Sequence, residues 1–145
     1  MPADHVLDAS VAAKAVIRED GTDAVLAWLD SGRAGETVAP DFLAVELGSV
    51  MLKRRRTAIA GETITAGDAD RVLMRIDRLV PTDTWRDDAF DLALRTGASF
   101  YDALYLLVAQ REGAPLVTAD QRLVERVRAS GEPVDLLTIA ELATP

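Results

Sequence analysis

The sequence predicts an α/β fold in which a short central parallel sheet is flanked by helices on both faces. Short apolar runs alternate with longer helix-like segments, which is the pattern of a parallel sheet with crossover helices. The chain has 145 residues, of which 49% are hydrophobic and 28% charged, an ordinary globular balance with room for a substantial core. We therefore expect a single domain over residues 1–145.

Turn and capping signals divide the chain into alternating elements. Pro40 and Pro81 stop two candidate strands, and Gly97, Gly113 and Gly131 each follow the last residue of a helical pattern. The predicted strands lie at 6–7, 37–39, 79–80, 116–118 and 134–137. The predicted helices lie at 10–17, 21–30, 42–56, 65–78, 87–96, 99–112 and 120–129.

Two of these helices carry further signals. The helix at 42–56 has Asp41 as a plausible N-cap and ends in basic residues, which suit a helix carboxyl terminus. The helix at 99–112 is apolar nearly all round, which predicts burial. Right-handed crossovers bring the carboxyl ends of parallel strands to one edge of the sheet, where ligands bind in open α/β folds.

Composition excludes several classes of protein. There is no cysteine, so disulfides and thiolate metal sites are excluded. The single histidine, His5, cannot supply the histidine pair of metal-free RNA cleavage or an H-E-x-x-H zinc motif.

The longest apolar run, Ala103–Ala109, is too short to span a bilayer, and the first residues lack a signal-peptide pattern. We expect a cytoplasmic location and no membrane association.

The charge of the chain is unevenly distributed. The formal net charge is −8, which argues against wholesale wrapping of nucleic acid, because that depends on neutralising phosphates. Basic charge is nevertheless dense in the run Lys53, Arg54, Arg55 and Arg56, the best candidate for a phosphate-facing patch. A solvated helix surface is the alternative interpretation of this run.

Four acidic residues lie at the ends of apolar runs or on helix-like stretches: Asp8, Glu46, Asp102 and Asp120. Capping explains three of them individually, because Asp8 and Asp120 can be N-caps and Asp102 fits a capping box with Ser99. Glu46 is predicted to lie past the first turn on an apolar helix face, where burying a lone carboxylate costs several kcal/mol. A partly exposed boundary position is the alternative for Glu46.

Taken together, the acids indicate a metal site. Asp8 and Asp120 follow candidate strands at the same sheet edge, and Asp102 lies in the first turn of the helix before the second of these strands. Two carboxylates about 4 Å apart repel by roughly 4 kcal/mol at an effective dielectric of 20, so such a cluster favours Mg²⁺ or Mn²⁺. Ser10 and Thr118 supply hydroxyls that could orient the acids or bond a metal-bound water.

Four segments carry a family resemblance. They are Leu7-Asp8-Ala9-Ser10-Val11-Ala12, Ala39-Pro40-Asp41 leading to Glu46, Ser99-Phe100-Tyr101-Asp102-Ala103-Leu104-Tyr105, and Leu116-Val117-Thr118-Ala119-Asp120-Gln121-Arg122-Leu123. In order, spacing and total length, the chain resembles the PIN-domain ribonucleases and, within them, the VapC toxins of bacterial toxin–antitoxin pairs. The resemblance covers essentially the whole chain.

The resemblance implies a PIN-like three-layer α/β/α fold and a Mg²⁺- or Mn²⁺-dependent endoribonuclease that cleaves structured RNA such as tRNA or rRNA. It implies that Asp8, Glu46, Asp102 and Asp120 are the catalytic, metal-binding acids. Ser10 and Thr118 would be supporting polar residues, and the basic run at 53–56 would bind RNA. The implied partners are a VapB-like antitoxin and a second copy in a homodimer, with apolar residues at 21–30 and 42–56 as a candidate interface.

We hypothesise that Asp8, Asp102 and Asp120 hold the metal, while Glu46 completes the shell or acts as general base. Attack by a metal-activated water would leave a 3′-hydroxyl and a 5′-phosphate. A receiver domain needs an adjacent acid pair where this chain has Ala9, and a haloacid-dehalogenase-like phosphatase needs an aspartate where it has Ser10. A catalytically idle PIN-fold module that binds an antitoxin or RNA is the remaining alternative.

Overall fold

Five short parallel strands form the central sheet in the computed structural model, which describes residues 2–144. The strands are β1 (His5–Leu7), β2 (Thr37–Pro40), β3 (Arg78–Val80), β4 (Leu116–Val117) and β5 (Leu136–Leu137). Their order is β3-β2-β1-β4-β5, so β1 lies at the centre between β2 and β4. Val6 of β1 pairs with Val38 on one side and with Leu116 on the other.

Alternation along the strands buries both faces of the sheet. Val6 and Leu116 pack into one core, and their chain neighbours Leu7 and Val117 pack into the other. The first face is covered by α5 (Arg86–Thr96), α6 (Phe100–Glu112) and α7 (Gln121–Ser130). The second is covered by α1 (Ala9–Ala12), α2 (Thr22–Asp30), α3 (Leu43–Thr57), α4 (Asp68–Leu73) and α8 (Ile139–Leu142). The predicted three-layer α/β/α fold is confirmed.

Several local predictions hold. Every residue of α6 from Ala103 to Ala109 is buried, as expected for a helix that is apolar all round. Gly97 and Gly113 follow α5 and α6 in the left-handed conformation, with φ of 73° and 66°. Asp120 is the N-cap of α7.

The helix predicted at 65–78 is too long. The structure has α4 over Asp68–Leu73 only, and Arg78 belongs to β3. The Asp77 amide donates to the Thr37 carbonyl, and the Asp77 carboxylate accepts from the Thr37 amide. These bonds to β2 place the chain at the sheet edge, and a helical period cannot reveal them.

Two other predictions need correction, and one helix was not predicted at all. Asp41 is not the N-cap of α3, because its carboxylate accepts a hydrogen bond from the Thr82 hydroxyl and the helix begins without a side-chain cap after Phe42. The helix predicted at 10–17 changes after Ala12 into a 3₁₀ turn over Ala13–Ala15. Helix α8 was not predicted, although Thr138 and Glu141 form a capping box there.

Candidate active site

The predicted site residues gather where the strand order of the sheet reverses. Asp8 directly follows β1, and Thr118 directly follows the neighbouring strand β4. The chain adds β2 and β3 on one side of β1 and then crosses to β4 on the other. In open α/β sheets such a reversal leaves a crevice at the carboxyl ends of the strands, and ligands bind there.

Asp8 is buried, with a relative exposure of 8%, and caps α1. Its Oδ1 accepts hydrogen bonds from the Ser10 hydroxyl and, at 3.1 Å, from the Val11 amide. Burial raises the pKa of Asp8 to about 6, although the hydrogen bonds from Ser10, Thr118 and Val11 act to lower it. Negative charge on Asp102 raises this pKa further, so the two carboxyls are electrostatically coupled.

Glu46 enters the site from α3. It lies in the first turn of this helix, not past it as predicted, because α3 begins at Leu43. The Tyr105 hydroxyl donates a 2.7 Å hydrogen bond to Oε1 of the half-buried Glu46. Burial is the main reason that the pKa of Glu46 is raised, and repulsion from Asp102 adds to it.

Asp102 and Asp120 lie at the amino ends of α6 and α7. The Asp102 amide donates to the Ser99 hydroxyl, but the reciprocal bond of a capping box is not formed within residues 2–144. Burial raises the pKa of Asp102, Asp120 raises it further, and Arg126 lowers it. Asp120 is exposed, and its Oδ1 accepts from the Arg122 and Leu123 amides.

One cleft of about 280 Å³ brings all four predicted acids together. Its lining residues are Asp8, Ala9, Ser10, Glu46, Ser49, Val50, Lys53, Asp102, Tyr105 and Asp120. Within the described part of the chain, however, no three acidic side chains are gathered into a ready-made ion site. Asp8 and Asp120 are instead bonded to groups of their own segments, and Glu46 accepts a hydrogen bond from Tyr105.

The donor set nevertheless fits a hard divalent cation. Asp8, Glu46, Asp102 and Asp120 offer only oxygen ligands, which Mg²⁺ and Mn²⁺ prefer. Mg²⁺ keeps several of its waters and is usually held by one or two carboxylates together with substrate phosphates, so a closed cage of protein ligands is not required. The site residues are therefore compatible with a partly hydrated ion.

Two hydroxyls connect the acids to the ends of β1 and β4. Ser10 donates to Asp8 and accepts from the Ala119 amide at 3.1 Å, which ties α1 to the loop after β4. Thr118 is fully buried, bonds Asp8, and accepts from the Asp120 amide. Ser10 and Thr118 are thus placed where a supporting role requires them, and that role remains a prediction.

The basic run at 53–56 divides in the structure. Lys53 lines the acidic cleft. Arg54 forms an ion pair with Glu62 at 3.2 Å, and Arg55 donates to the Ile64 carbonyl at 2.7 Å. Arg56 is exposed and is not part of the cleft lining. Because successive helix residues point about 100° apart, the four side chains of this run leave α3 in different directions.

Sequence reasoning missed two residues of the site. Tyr105 bonds Glu46, and Arg126 lies close enough to Asp102 to lower its pKa. Tyr105 carries a recognisable signal, because it lies three residues after Asp102 on the same helix face. Arg126 comes from α7, and nothing in the sequence indicates that its side chain lies near Asp102 at the start of α6.

The fold and the acidic cleft define a member of the PIN domain family. The PIN domain family matches residues 5–129, and the chain belongs to this family. Among curated proteins, Ribonuclease VapC3 from Pyrobaculum aerophilum is 27% identical over 131 residues, covering 88% of this chain and 98% of that protein. The crystal structure of PAE2754 from the same organism superposes with a TM-score of 0.68 at 20% identity, covering 99% of this chain and 91% of that chain.

Over the described residues, no helix combines the length and the apolar character needed to cross a membrane.

Proposed function

We propose that this protein is a Mg²⁺- or Mn²⁺-dependent endoribonuclease and the toxin of a VapBC-like pair. The observation that carries the proposal is the convergence of Asp8, Glu46, Asp102 and Asp120 on one cleft at the strand reversal. Membership of the PIN domain family and likeness to Ribonuclease VapC3 support it. The substrate class is structured RNA such as tRNA or rRNA.

In the proposed mechanism, Asp8, Asp102 and Asp120 would hold the ion, and Glu46 would complete its ligands or accept a proton from the attacking water. When bound, a divalent ion would supply a water of lowered pKa and positive charge beside the scissile phosphate. Ser10 and Thr118 keep Asp8 oriented through their hydrogen bonds. The Lys53 ammonium binds an RNA phosphate beside the acids. The products carry a 3′-hydroxyl and a 5′-phosphate.

Incubation of the purified protein with total cellular RNA tests the proposal. We expect discrete fragments with Mg²⁺ or Mn²⁺, no fragments with EDTA, and 5′-phosphate ends that allow direct adapter ligation. A 2′,3′-cyclic phosphate would contradict the mechanism. If the purified protein neither cleaves RNA nor binds metal in calorimetry, the result would instead favour the catalytically idle module that binds an antitoxin or RNA.

Lys53→Ala is expected to weaken RNA binding about equally for different sequences and to reduce the salt slope of binding by about one, because one phosphate contact is lost. The measurement is a binding titration against structured RNA in EDTA at several salt concentrations. Arg56→Ala is the matched control, since Arg56 is on the same helix but outside the cleft. Equal losses in the two variants would show that the position of Lys53 in the cleft gives it no special part in RNA binding.

Partners and location are further proposals. A VapB-like antitoxin that covers the cleft would control the activity, and a homodimer is expected by family resemblance. In α2 the large apolar side chains are buried or half-buried, whereas Val45 and Leu52 of α3 and Phe90 and Leu94 of α5 are exposed. The predicted interface at 21–30 therefore has less support than the one at 42–56. The single domain over 1–145 and the cytoplasmic location also remain predictions.

A further inference from the structure

Tyr105 is a buried aromatic residue of the cleft to which the proposed mechanism gives no task. Its relative exposure is 2%, yet it lines the same cleft as the four acids. Its hydroxyl donates a 2.7 Å hydrogen bond to Oε1 of Glu46. A phenylalanine would fill the core equally well, and a buried hydroxyl costs free energy unless it is bonded. The hydroxyl therefore calls for an explanation beyond packing.

The surroundings of Tyr105 make it a rigid support. Its ring meets the Phe42 ring edge-to-face, with 5.3 Å between centroids. The Phe42 carbonyl also accepts a hydrogen bond from the Glu46 amide at 2.9 Å, so the tyrosine contacts the start of α3 through both its ring and its hydroxyl. Asp102 lies three residues before Tyr105 on α6. One face of this helix therefore presents to the cleft both an acid, Asp102, and the tyrosine that bonds the neighbouring acid Glu46.

Glu46 needs such a support. Its long side chain has several freely rotating bonds, and over residues 2–144 the Tyr105 hydroxyl is the group that donates a hydrogen bond to its carboxylate. A bond to Oε1 restricts the carboxylate and leaves Oε2 available as an ion ligand or proton acceptor. Residues that orient a metal ligand in this way typically change metal affinity or activity by about 10–100-fold when they are removed.

We propose that Tyr105 is a positioning residue, whose hydroxyl holds the Glu46 carboxylate in the orientation that binds the divalent ion. This inference deepens the proposed function and rests on it, because it concerns the same site. Tyr105 acts through Glu46 and does not itself touch the ion or the RNA.

Tyr105→Phe removes the hydroxyl alone and tests the inference. We expect the dissociation constant for Mn²⁺, measured by calorimetry, to rise by about 10-fold or more, with a matching shift in the Mn²⁺ concentration needed for half-maximal RNA cleavage. The control is Tyr101→Phe on the same helix, whose exposed ring also packs on Phe42, with 5.4 Å between centroids. The thermal midpoint of each variant, measured without metal, separates loss of folding from loss of binding.

A double-mutant cycle then shows whether Tyr105 acts through Glu46. Glu46→Ala and the Glu46→Ala, Tyr105→Phe double variant should bind Mn²⁺ with affinities equal within about twofold, since the hydroxyl no longer has a carboxylate to orient. The inference would be overturned if the two substitutions weakened Mn²⁺ binding by factors that multiply in the double variant. It would also be overturned if Tyr105→Phe bound Mn²⁺ as tightly as wild type does. If wild type cleaves RNA and Tyr105→Phe has the same Mn²⁺ affinity and the same Mn²⁺ dependence of cleavage, the inference fails and the proposed function stands. If wild type neither binds Mn²⁺ nor cleaves RNA, the proposed function fails and the inference fails with it.

Discussion

Asp102→Asn is expected to reduce metal-dependent RNA cleavage by at least about 100-fold, because even residues that only orient a metal ligand cost about 10–100-fold when they are removed. The change keeps the size of the side chain and removes its charge. It also keeps the backbone bond by which the Asp102 amide donates to Ser99. Single-turnover cleavage in saturating Mg²⁺ is the measurement.

The same variant should fold as well as wild type, or better, in the absence of metal. The pKa of Asp102 is raised, which means that burial and repulsion from Asp120 outweigh the favourable effects of Ser99 and Arg126. The opposing loss is the interaction of a carboxylate with the first turn of a helix, worth about 0.3–1 kcal/mol. Asp87→Asn is the matched control, since Asp87 is exposed in the first turn of α5. Cleavage by Asp102→Asn within a few-fold of wild type would show that the acidic cleft is not the active site.

Asp8 is expected to make the metal-free fold less stable as the pH rises from about 4 to about 7. Its pKa is about 6 in the folded protein, against an ordinary value of 3.8 for an aspartate in water, so the folded state holds the proton more tightly over this range. Stability from this group is therefore fully present below the unfolded pKa and is lost as the pH rises through about 6. Since one pKa unit corresponds to about 1.4 kcal/mol, the loss amounts to at most about 3 kcal/mol.

Asp8→Asn should remove this dependence. In EDTA we expect the variant to be more stable than wild type at pH 7.5 and nearly equal at pH 4, where the Asp8 side chain is neutral in the folded protein. Glu112 and Glu132 have lowered pKa values from Arg78 and Arg95 and contribute the opposite slope in acid, but they cancel in the difference between the two proteins. Chemical denaturation at each pH gives the comparison.

Metal should reverse the order of stability of these two proteins. An ion that binds only the folded state stabilises it by mass action, so Mn²⁺ should raise the unfolding free energy of wild type at pH 7.5 much more than that of Asp8→Asn. A variant that is less stable than wild type at pH 7.5 in EDTA would mean that hydrogen bonds from Ser10, Val11 and Thr118 fully compensate the buried charge.

Much of the fold was predictable because it follows from local rules. The short apolar runs Val6-Leu7 and Leu116-Val117, which alternate with helical segments, indicated parallel strands covered on both faces. The structure places the two neighbours of each run in opposite cores. The stretch that is apolar all round predicted a buried helix, and residues Ala103 to Ala109 of α6 are all buried. Predictions failed where a distant partner intervenes, as when the bonds between Asp77 and Thr37 end the helical region after α4.

The candidate site shows the same division. Its four acids were identified because carboxylates after strands and on apolar faces are costly unless they are used, and the topology rule brings their elements to one edge. Their electrostatic state was not predictable. Repulsion was the expected cost of bringing the carboxylates together, and burial was considered for Glu46 alone, yet burial is the largest cause of the raised pKa of Asp8, Glu46 and Asp102.

The sequence by itself determined the layered α/β architecture and the identity of the acidic side chains, because periodicity and the cost of burying charge act along a single chain. Only the tertiary structure decided that Lys53 alone of the basic run lines the cleft, and that Tyr105 supports Glu46. Those two outcomes depend on the angular position of α3 and on how its first turn meets α6 beside the sheet. Such relations are set by core packing between segments far apart in the sequence, so the local sequence pattern does not predict them.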